Sequence, residues 1–332
     1  MAEHALNSRS DRSADPDNFL VDELLRAAVA APSMHNTQPW RLRLADSWTI
    51  ELYLDPARTL PVSDPQGRGA LIACGAALLN LRMTAAAHGL RTRLTLSPDP
   101  AQPLLIARAE MSAGHAVTAW ERELSGAIPA RRSNREPFTD AVVPPAIKAE
   151  LAAAAKAEAG ILRFLDENEA ARVRRLASDA ERDLRADPAY RAELARWVTA
   201  GRQDDGIPNE ILGPRSAVGS DPVRDFDPGR RQAVRYADFE DRPQFVVLSV
   251  RAQNAASWIA AGQALERVWL TATCRGVSLC PLTQPLETAD AWLVKDARLG
   301  LEYPQMIMRI GYGPQVKMTA PRRSISDVAG WS

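Results

Sequence analysis

The chain has 332 residues, with 41 basic and 41 acidic side chains and three cysteines. That length allows one large domain or two ordinary ones around a sizeable core, and the balanced charge sets up no global field toward nucleic acid or an anionic membrane. The cysteines Cys74, Cys274 and Cys280 form no CxxC pair, and the histidines His4, His35, His88 and His115 form no HxxxH or HxH, which argues against a disulfide framework and against a metal centre.

The opening MAEHALNSRSDRSADPDN is polar and lacks the apolar stretch of a signal peptide, so disorder is expected to about Asp17. An amphipathic helix is predicted over about Asn18–Ala30, ended by Pro32. Strands at Arg41–Leu44 and Trp48–Leu54 follow, then an Ala/Leu-rich helix from Gly69 to Ala87 closed by Gly89. Strands near Arg91–Leu96 and Leu104–Met111 lead to a helix at Val117–Ala127. A helix near Ala146–Ala157 and a strand near Ile161–Leu165 come next, and Asn168–Val198 is helical and highly charged with a break at Pro188. Between Gly201 and Gly229 the periodicity vanishes among Pro, Gly and Asp, as in a lid or a disordered segment. A strand at Gln244–Val250, a helix at about Asn254–Arg275 and a strand at Gln305–Ile310 complete the pattern. Every long apolar stretch is broken by Arg, Asn, His or Gln, so no membrane-spanning helix is expected and a cytoplasmic protein is the default.

Two helices resemble each other. Ile72–Gly89 reads IACGAALLNLRMTAAAHG and Ile259–Gly276 reads IAAGQALERVWLTATCRG, sharing Gly75/Gly262, Thr84/Thr271 and Gly89/Gly276 in register. Ala-rich helices can agree by chance, but small residues in register suit two helices that approach closely. The pattern predicts a duplicated α+β unit, 18–128 and 129–328, the second carrying an insert over about 167–241.

Four stretches carry chemistry. The loop APSMHNTQPWR places Ser33, His35, Asn36 and Gln38 beside Pro39, Trp40 and Arg41, a density of donors and acceptors suited to a flat heterocycle or to a well-capped turn. Arg131, Arg132, Ser133 and Arg135 in RRSNR offer guanidinium forks and a hydroxyl to phosphate oxygens; a solvated turn or a small nucleic-acid footprint are the alternatives. In VSLCPLTQP, Pro281 and Leu282 could wall a planar ligand, while Cys280 has no sequence-adjacent histidine to activate it. Arg322 and Arg323 form a second phosphate clamp or an exposed tail. No GxGxxG after a strand, GxxxxGK[ST] or GxSxG is present, which disfavours Rossmann, P-loop and α/β-hydrolase folds.

The order APSMHNTQPW, RRSNREPF, GVSLCPLTQPLE, YPQMIMRIGYGP and PRRS resembles the nitroreductase superfamily, and within it the actinobacterial Acg-like FMN-binding proteins, over about Asn18–Val328. The resemblance implies a nitroreductase-like α+β fold in which two tandem half-units mimic a homodimer in one chain, with one FMN between them and the insert as a lid. It implies that Arg131, Arg132, Ser133 and Arg135 hold the phosphate and ribityl chain. Ser33, Asn36, Gln38, Pro39, Trp40 and Arg41, with His35 among them, would contact the flavin, Pro281 and Leu282 would border its ring, and Arg322 and Arg323 would complete the phosphate site. The chemistry would reside in the flavin rather than in a side chain. Two functions follow: an oxidoreductase passing hydride or electrons from NAD(P)H to a nitroaromatic or quinone, or an FMN-storing protein whose lid excludes nicotinamide. A redox or stress sensor using Cys280 is a third, weaker reading. Fusion of the halves implies a monomer without nucleic-acid or membrane partners. Arg191, Arg202, Arg215, Arg224, Arg230 and Arg231 in the insert could recruit a cofactor phosphate or merely solvate it.

Overall fold

The computed structural model describes residues 16–97, 99–198, 203–216, 224, 226, 235–287 and 302–331. The expected disordered segment therefore lies largely outside the described residues, as do Arg202, Arg230 and Arg231.

Two α+β units share one topology. In the first, helix α1 (Pro16–Val29) precedes strands β1 (Trp40–Asp46) and β2 (Thr49–Leu54), helix α2 (Arg68–Ala87), and strands β3 (Leu90–Leu96) and β4 (Leu105–Ala113). Helix α3 (Ala119–Ala127), opened by a capping box between Thr118 and Glu121, leads onward. In the second unit, α4 (Pro145–Ala157) and β5 (Ile161–Phe164) come first. The insert follows, with α5 (Glu167–Ala186), α6 (Pro188–Trp197) and the short strands β6 (Arg215–Ser216) and β7 (Tyr236–Ala237). Strand β8 (Gln244–Ser249), helix α7 (Ala255–Cys274), β9 (Ser278–Pro281) and β10 (Pro304–Gly311) complete it. The first sheet runs β1-β2-β4-β3 and the second β5-β8-β10-β9, all antiparallel, each with its long helix between the second and third strands of the unit. The insert thus enters between the first and second strands of the second unit.

One strand is unforeseen in the sequence: β11 (Ala329–Trp331) pairs parallel to β1, with Leu42 opposite Ala329. The tail therefore crosses back to the first sheet, carrying residues 316–323 past the interface of the units.

Helices α2 and α7 cross at the centre. A Cβ on Gly75 would lie 2.1 Å from the Ile259 carbonyl oxygen, and one on Gly262 would lie 1.9 Å from that of Ile72. These contacts exchange under the sequence repeat, which pairs Gly75 with Gly262 and Ile72 with Ile259. The isoleucines are swapped too: Ile259 packs in the core of the first unit and Ile72 in that of the second. Gly89 and Gly276 close the two helices with φ of 77° and 66°, where a Cβ would be strained. Helix α2 is long and apolar enough to cross a membrane by length and composition, but 89% of its apolar window is buried within the protein.

Candidate functional site

A cavity of about 410 Å³ opens where the two units, the insert and the tail meet. Ligand pockets occupy roughly 300–1,000 Å³. Ser33, His35, Asn36, Arg131, Arg132, Ser133, Arg135, Pro281 and Arg322, far apart in sequence, all line it.

The loop after α1 has unusual backbone. His35, Asn36 and Gln38 sit at φ of 49°, 55° and 51°, on either side of a right-handed Thr37, and positive φ costs about 1–3 kcal/mol at a residue other than glycine. Hydrogen bonds hold it there. The Gln38 amide donates to Ser33 Oγ at 2.9 Å. Asn36 Nδ2 donates to the carbonyls of Gly206 and Pro321, both at 2.9 Å, while Asn36 Oδ1 accepts from Arg322 at 3.0 Å. Gln38 Nε2 donates to the Asp204 carbonyl at 2.8 Å and Gln38 Oε1 accepts from the Arg323 amide at 2.9 Å. The amides read in the sequence as flavin contacts therefore stitch the loop to the insert and to the tail.

Of the expected positions, Gln38, Pro39, Trp40, Arg41, Leu282 and Arg323 are not among the residues that line this cavity. Trp40 begins β1 and points into the first core. Pro39 leads into that strand, its carbonyl accepting from the Asp55 amide at 3.0 Å. Arg41, one residue on, faces outward and pairs with Asp55 at 2.9 Å. Leu282 is wholly buried and its amide is taken by the Ile307 carbonyl at 2.8 Å. The Arg323 guanidinium donates to the Asp327 carbonyl at 2.6 Å.

The RRSNREPF loop is set by β9 and β10. Ser133 bridges to Leu279 in parallel, and the Asn134 amide donates to the Leu279 carbonyl at 3.0 Å. Behind it, the completely buried Arg309 pairs with Glu240 at 3.0 Å, donates to the Glu136 carbonyl at 2.6 Å and lies 3.8 Å from the Phe138 ring centre. Arg309 is a positioning residue: it fixes the loop's turn without lining the cavity.

The cavity's cations divide by partner. Arg131 pairs with Glu266 at 3.1 Å, both buried, and lies 4.8 Å over the Trp269 ring. Arg224 pairs with Glu287 at 2.7 Å and also donates to Tyr190. By contrast, Arg68, Arg132, Arg135 and Arg322 make no ion pair among the described residues. They donate to carbonyls: Arg68 to Gln305 at 2.8 Å, Arg132 to Arg131 at 2.7 Å, Arg135 to Ile211 at 3.0 Å, and Arg322 to Ala30 and Ala31, both at 3.1 Å. Burial pushes all four guanidinium pKa values down. For Arg322, burial and then the neighbouring Arg131 bring it to about 9. A guanidinium keeps its proton at neutral pH, so the shift registers electrostatic strain that a bound anion would relieve.

Two groupings emerge from these fields. Arg322 feels Arg131 and Arg132, whereas Arg135 and His35 both feel Arg224. One end is thus Arg131, Arg132 and Arg322 against Glu266; the other is Arg135 and Arg224 against Glu287, with His35. Burial, then Arg224 and Arg135, hold the His35 pKa well below its ordinary 6.5. The unfolded chain therefore takes up a proton near pH 6.5 that the native one refuses. This contribution to stability is full above about pH 6.5 and is lost as pH falls below it, by about 1.4 kcal/mol per unit. Chemical denaturation of wild type and His35→Gln between pH 7.5 and 5 should show this extra slope only in wild type.

Arg68 and the insert residues Ile207, Ile211 and Phe226 also line the cavity and were missed as site residues, and Arg224, one of the insert arginines open to a cofactor phosphate, lines it too. The available signal for Arg68 was its place in the first turn of α2, where a cation opposes the helix dipole. The insert is pinned over the cavity. Glu193 accepts from the Val62 and Ser63 amides, both at 2.9 Å, and Arg58 pairs with Asp205 at 2.8 Å.

Cys280 is buried against Phe138, does not line the cavity, and has its thiol pKa raised by burial. That removes the geometry a thiolate sensor needs. Labelling of the native protein with an aromatic disulfide at pH 8 should leave Cys280 and the buried Cys74 unmodified until unfolding. No group of three metal-ligating side chains occurs among the described residues.

The Nitroreductase family model matches residues 128–312. The chain is 33% identical over 326 residues to a Mycobacterium tuberculosis protein named "Putative NAD(P)H nitroreductase acg", covering 94% of this chain and 97% of that one. A second protein of that species, also named "Putative NAD(P)H nitroreductase", is 31% identical over 333 residues, covering 95% and 92%. Among solved structures, the FMN-dependent nitroreductase NfnB from Mycobacterium smegmatis in complex with NADPH is 15% identical with a TM-score of 0.41, over 64% of this chain and 99% of that one. A nitroreductase with bound FMN from Bacteroides fragilis is 13% identical with a TM-score of 0.38, over 61% and 94%.

Proposed function

The chain belongs to the nitroreductase family, and on that premise we propose that it is an FMN-dependent oxidoreductase with one FMN in the cavity between its two units, carrying reducing equivalents from NAD(P)H to an electron-poor acceptor such as a nitroaromatic or quinone. The observation that carries this reading is the uncompensated charge of the cavity. At the end formed by Arg131, Arg132 and Arg322, three guanidiniums face one carboxylate, Glu266. The surplus of two positive charges matches a phosphate dianion. Among the described residues, Arg132 Nε and Arg322 Nε, both buried, have no hydrogen-bond partner, which is costly unless a ligand supplies one.

FMN supplies the hydride and electron chemistry when bound. Arg132, Arg322 and Ser133 hold its phosphate, and Arg131 is locked by Glu266 and adds its field. Arg135, beside Phe226 in the same cavity, would add positive charge near the bound flavin. Ile72, Leu265, Trp269 and Pro281 give apolar walls that exclude water. Asn36 and Gln38 act as positioning residues, since their side-chain amides are taken by the insert, the tail and Arg322. The second unit takes the place of a partner subunit, and the protein works as a monomer. Exchanging α2 and α7 maps the cavity residues Ile72 and Leu265 onto Ile259 and Leu78, both buried in the first core.

The test is spectroscopic. The purified protein should be yellow, and NADPH or NADH added without oxygen should bleach it. Bleaching by dithionite alone would remove the NAD(P)H step and leave FMN storage. A colourless protein that takes up no FMN would overturn the proposal.

A further inference from the structure

The insert side of the cavity holds a buried polar side chain whose partner the protein does not provide. His35 is 3% exposed, lines the cavity, and has no hydrogen-bond partner at either ring nitrogen among the described residues. Buried polar groups are nearly always paired, so an unmatched imidazole requires an explanation. Its backbone is also held in the left-handed region, and strain of that kind concentrates at ligand clamps.

The surroundings define what the ring can meet. Phe226 stands edge-to-face to it at 6.0 Å. The guanidiniums of Arg135 and Arg224 lie 4.9 Å and 5.2 Å from the centre of that Phe226 ring. Glu287 takes up the charge of Arg224, whereas among the described residues Arg135 pairs with no carboxylate. Burial and these two cations keep the imidazole unprotonated, so it offers one N–H and one lone pair. A fitting ligand is flat, is not cationic, and presents an oxygen to the N–H in the field of Arg135.

We propose that His35 is a specificity-determining residue for the oxidising substrate, hydrogen-bonding an exocyclic oxygen of a compact aromatic or quinonoid acceptor that lies beside Phe226. The oxygen gains negative charge as the acceptor is reduced, and Arg135 stabilises it. This rests on the oxidoreductase reading above, and the experiment separates the two.

The full-length protein with FMN is reduced by dithionite without oxygen and mixed with tetramethyl-1,4-benzoquinone, or with ferricyanide, which needs no hydrogen bond to an imidazole. His35→Phe should raise the quinone concentration for half-maximal reoxidation about tenfold, and His35→Gln, which keeps a donor and an acceptor, should stay within about threefold of wild type. Ferricyanide rates should not change. In the oxidised protein, a ring ¹⁵N resonance of His35 should shift as the quinone is added. Unchanged quinone saturation in His35→Phe, an equal loss with ferricyanide, or a silent ¹⁵N resonance would overturn the inference. So would a changed flavin spectrum and FMN affinity in His35→Phe with the quinone step intact, because the ring would then meet the flavin. A protein that binds no FMN defeats the cofactor reading alone, and the ¹⁵N titration still decides the role of His35.

Discussion

Arg132→Ala is expected to weaken FMN binding by about 10- to 100-fold while leaving the thermal stability of the flavin-free protein unchanged or raised. Among the described residues Arg132 makes one hydrogen bond, to the neighbouring Arg131 carbonyl, so the fold has little to lose with its side chain. A charge-assisted hydrogen bond contributes about 1.5–3 kcal/mol, which sets the range. Removing a half-buried cation beside Arg131 also relieves repulsion. The adjacent Arg131→Ala should behave in the opposite way. It leaves Glu266 buried without its cation, and breaking such a pair costs about 3–5 kcal/mol. Urea denaturation of the two variants without flavin, together with FMN titration by fluorescence quenching, separates the roles. Equal destabilisation by both, or full FMN affinity in Arg132→Ala, would contradict the assignment.

The second large effect is expected at the helix crossing. Gly75→Ala and Gly262→Ala each place a Cβ about 2 Å from a backbone carbonyl oxygen of the other helix. Backbone cannot rotate away as a side chain can, so α2 and α7 must separate. Overpacking costs typically about 1–3 kcal/mol, occasionally more, and these two sites belong at or beyond the upper end. Separation also widens the cavity, because Ile72 and Leu265 on these helices line it. Both variants should lose thermal stability and release FMN more readily. Gly126→Ala, where a Cβ meets nothing within 4 Å, is the control and should be neutral or slightly stabilising. A melting temperature for Gly262→Ala within a degree of wild type would refute the close crossing.

The two strand–helix–strand units were readable because their signals are local. Apolar alternation marks β2 and a continuous apolar run marks β8, Gly89 and Gly276 mark helix ends, and the shared Gly75/Gly262 register marks the contact between the long helices. The composition of the loop at Ser33–Gln38 and of the run Arg131–Arg135 drew attention to segments that border the cavity. Which side chains turn inward was not readable, because that depends on partners distant in sequence. Arg131 is neutralised by Glu266 on α7, whereas Arg132 is not. Asn36 and Gln38 are taken by carbonyls of the insert and by the tail. Trp40 follows the alternation of β1 into the core. Phe226 and Arg224 come from a stretch with no periodicity at all, so only the folded chain brings them to His35. The parallel pairing of β11 with β1 joins the last described residues to the first strand, and three residues carry too short a pattern to announce it.

The central claim is that the end of the cavity at Arg132 and Arg322 receives the phosphate of FMN. The most direct measurement compares the affinity of the flavin-free protein for FMN and for riboflavin, which differs only in lacking that phosphate. Two or more charge-assisted bonds of about 1.5–3 kcal/mol each predict FMN binding at least about 100-fold tighter, with the ratio falling by tenfold or more in Arg132→Ala. Equal affinities for the two flavins, or a ratio untouched by Arg132→Ala, would contradict it.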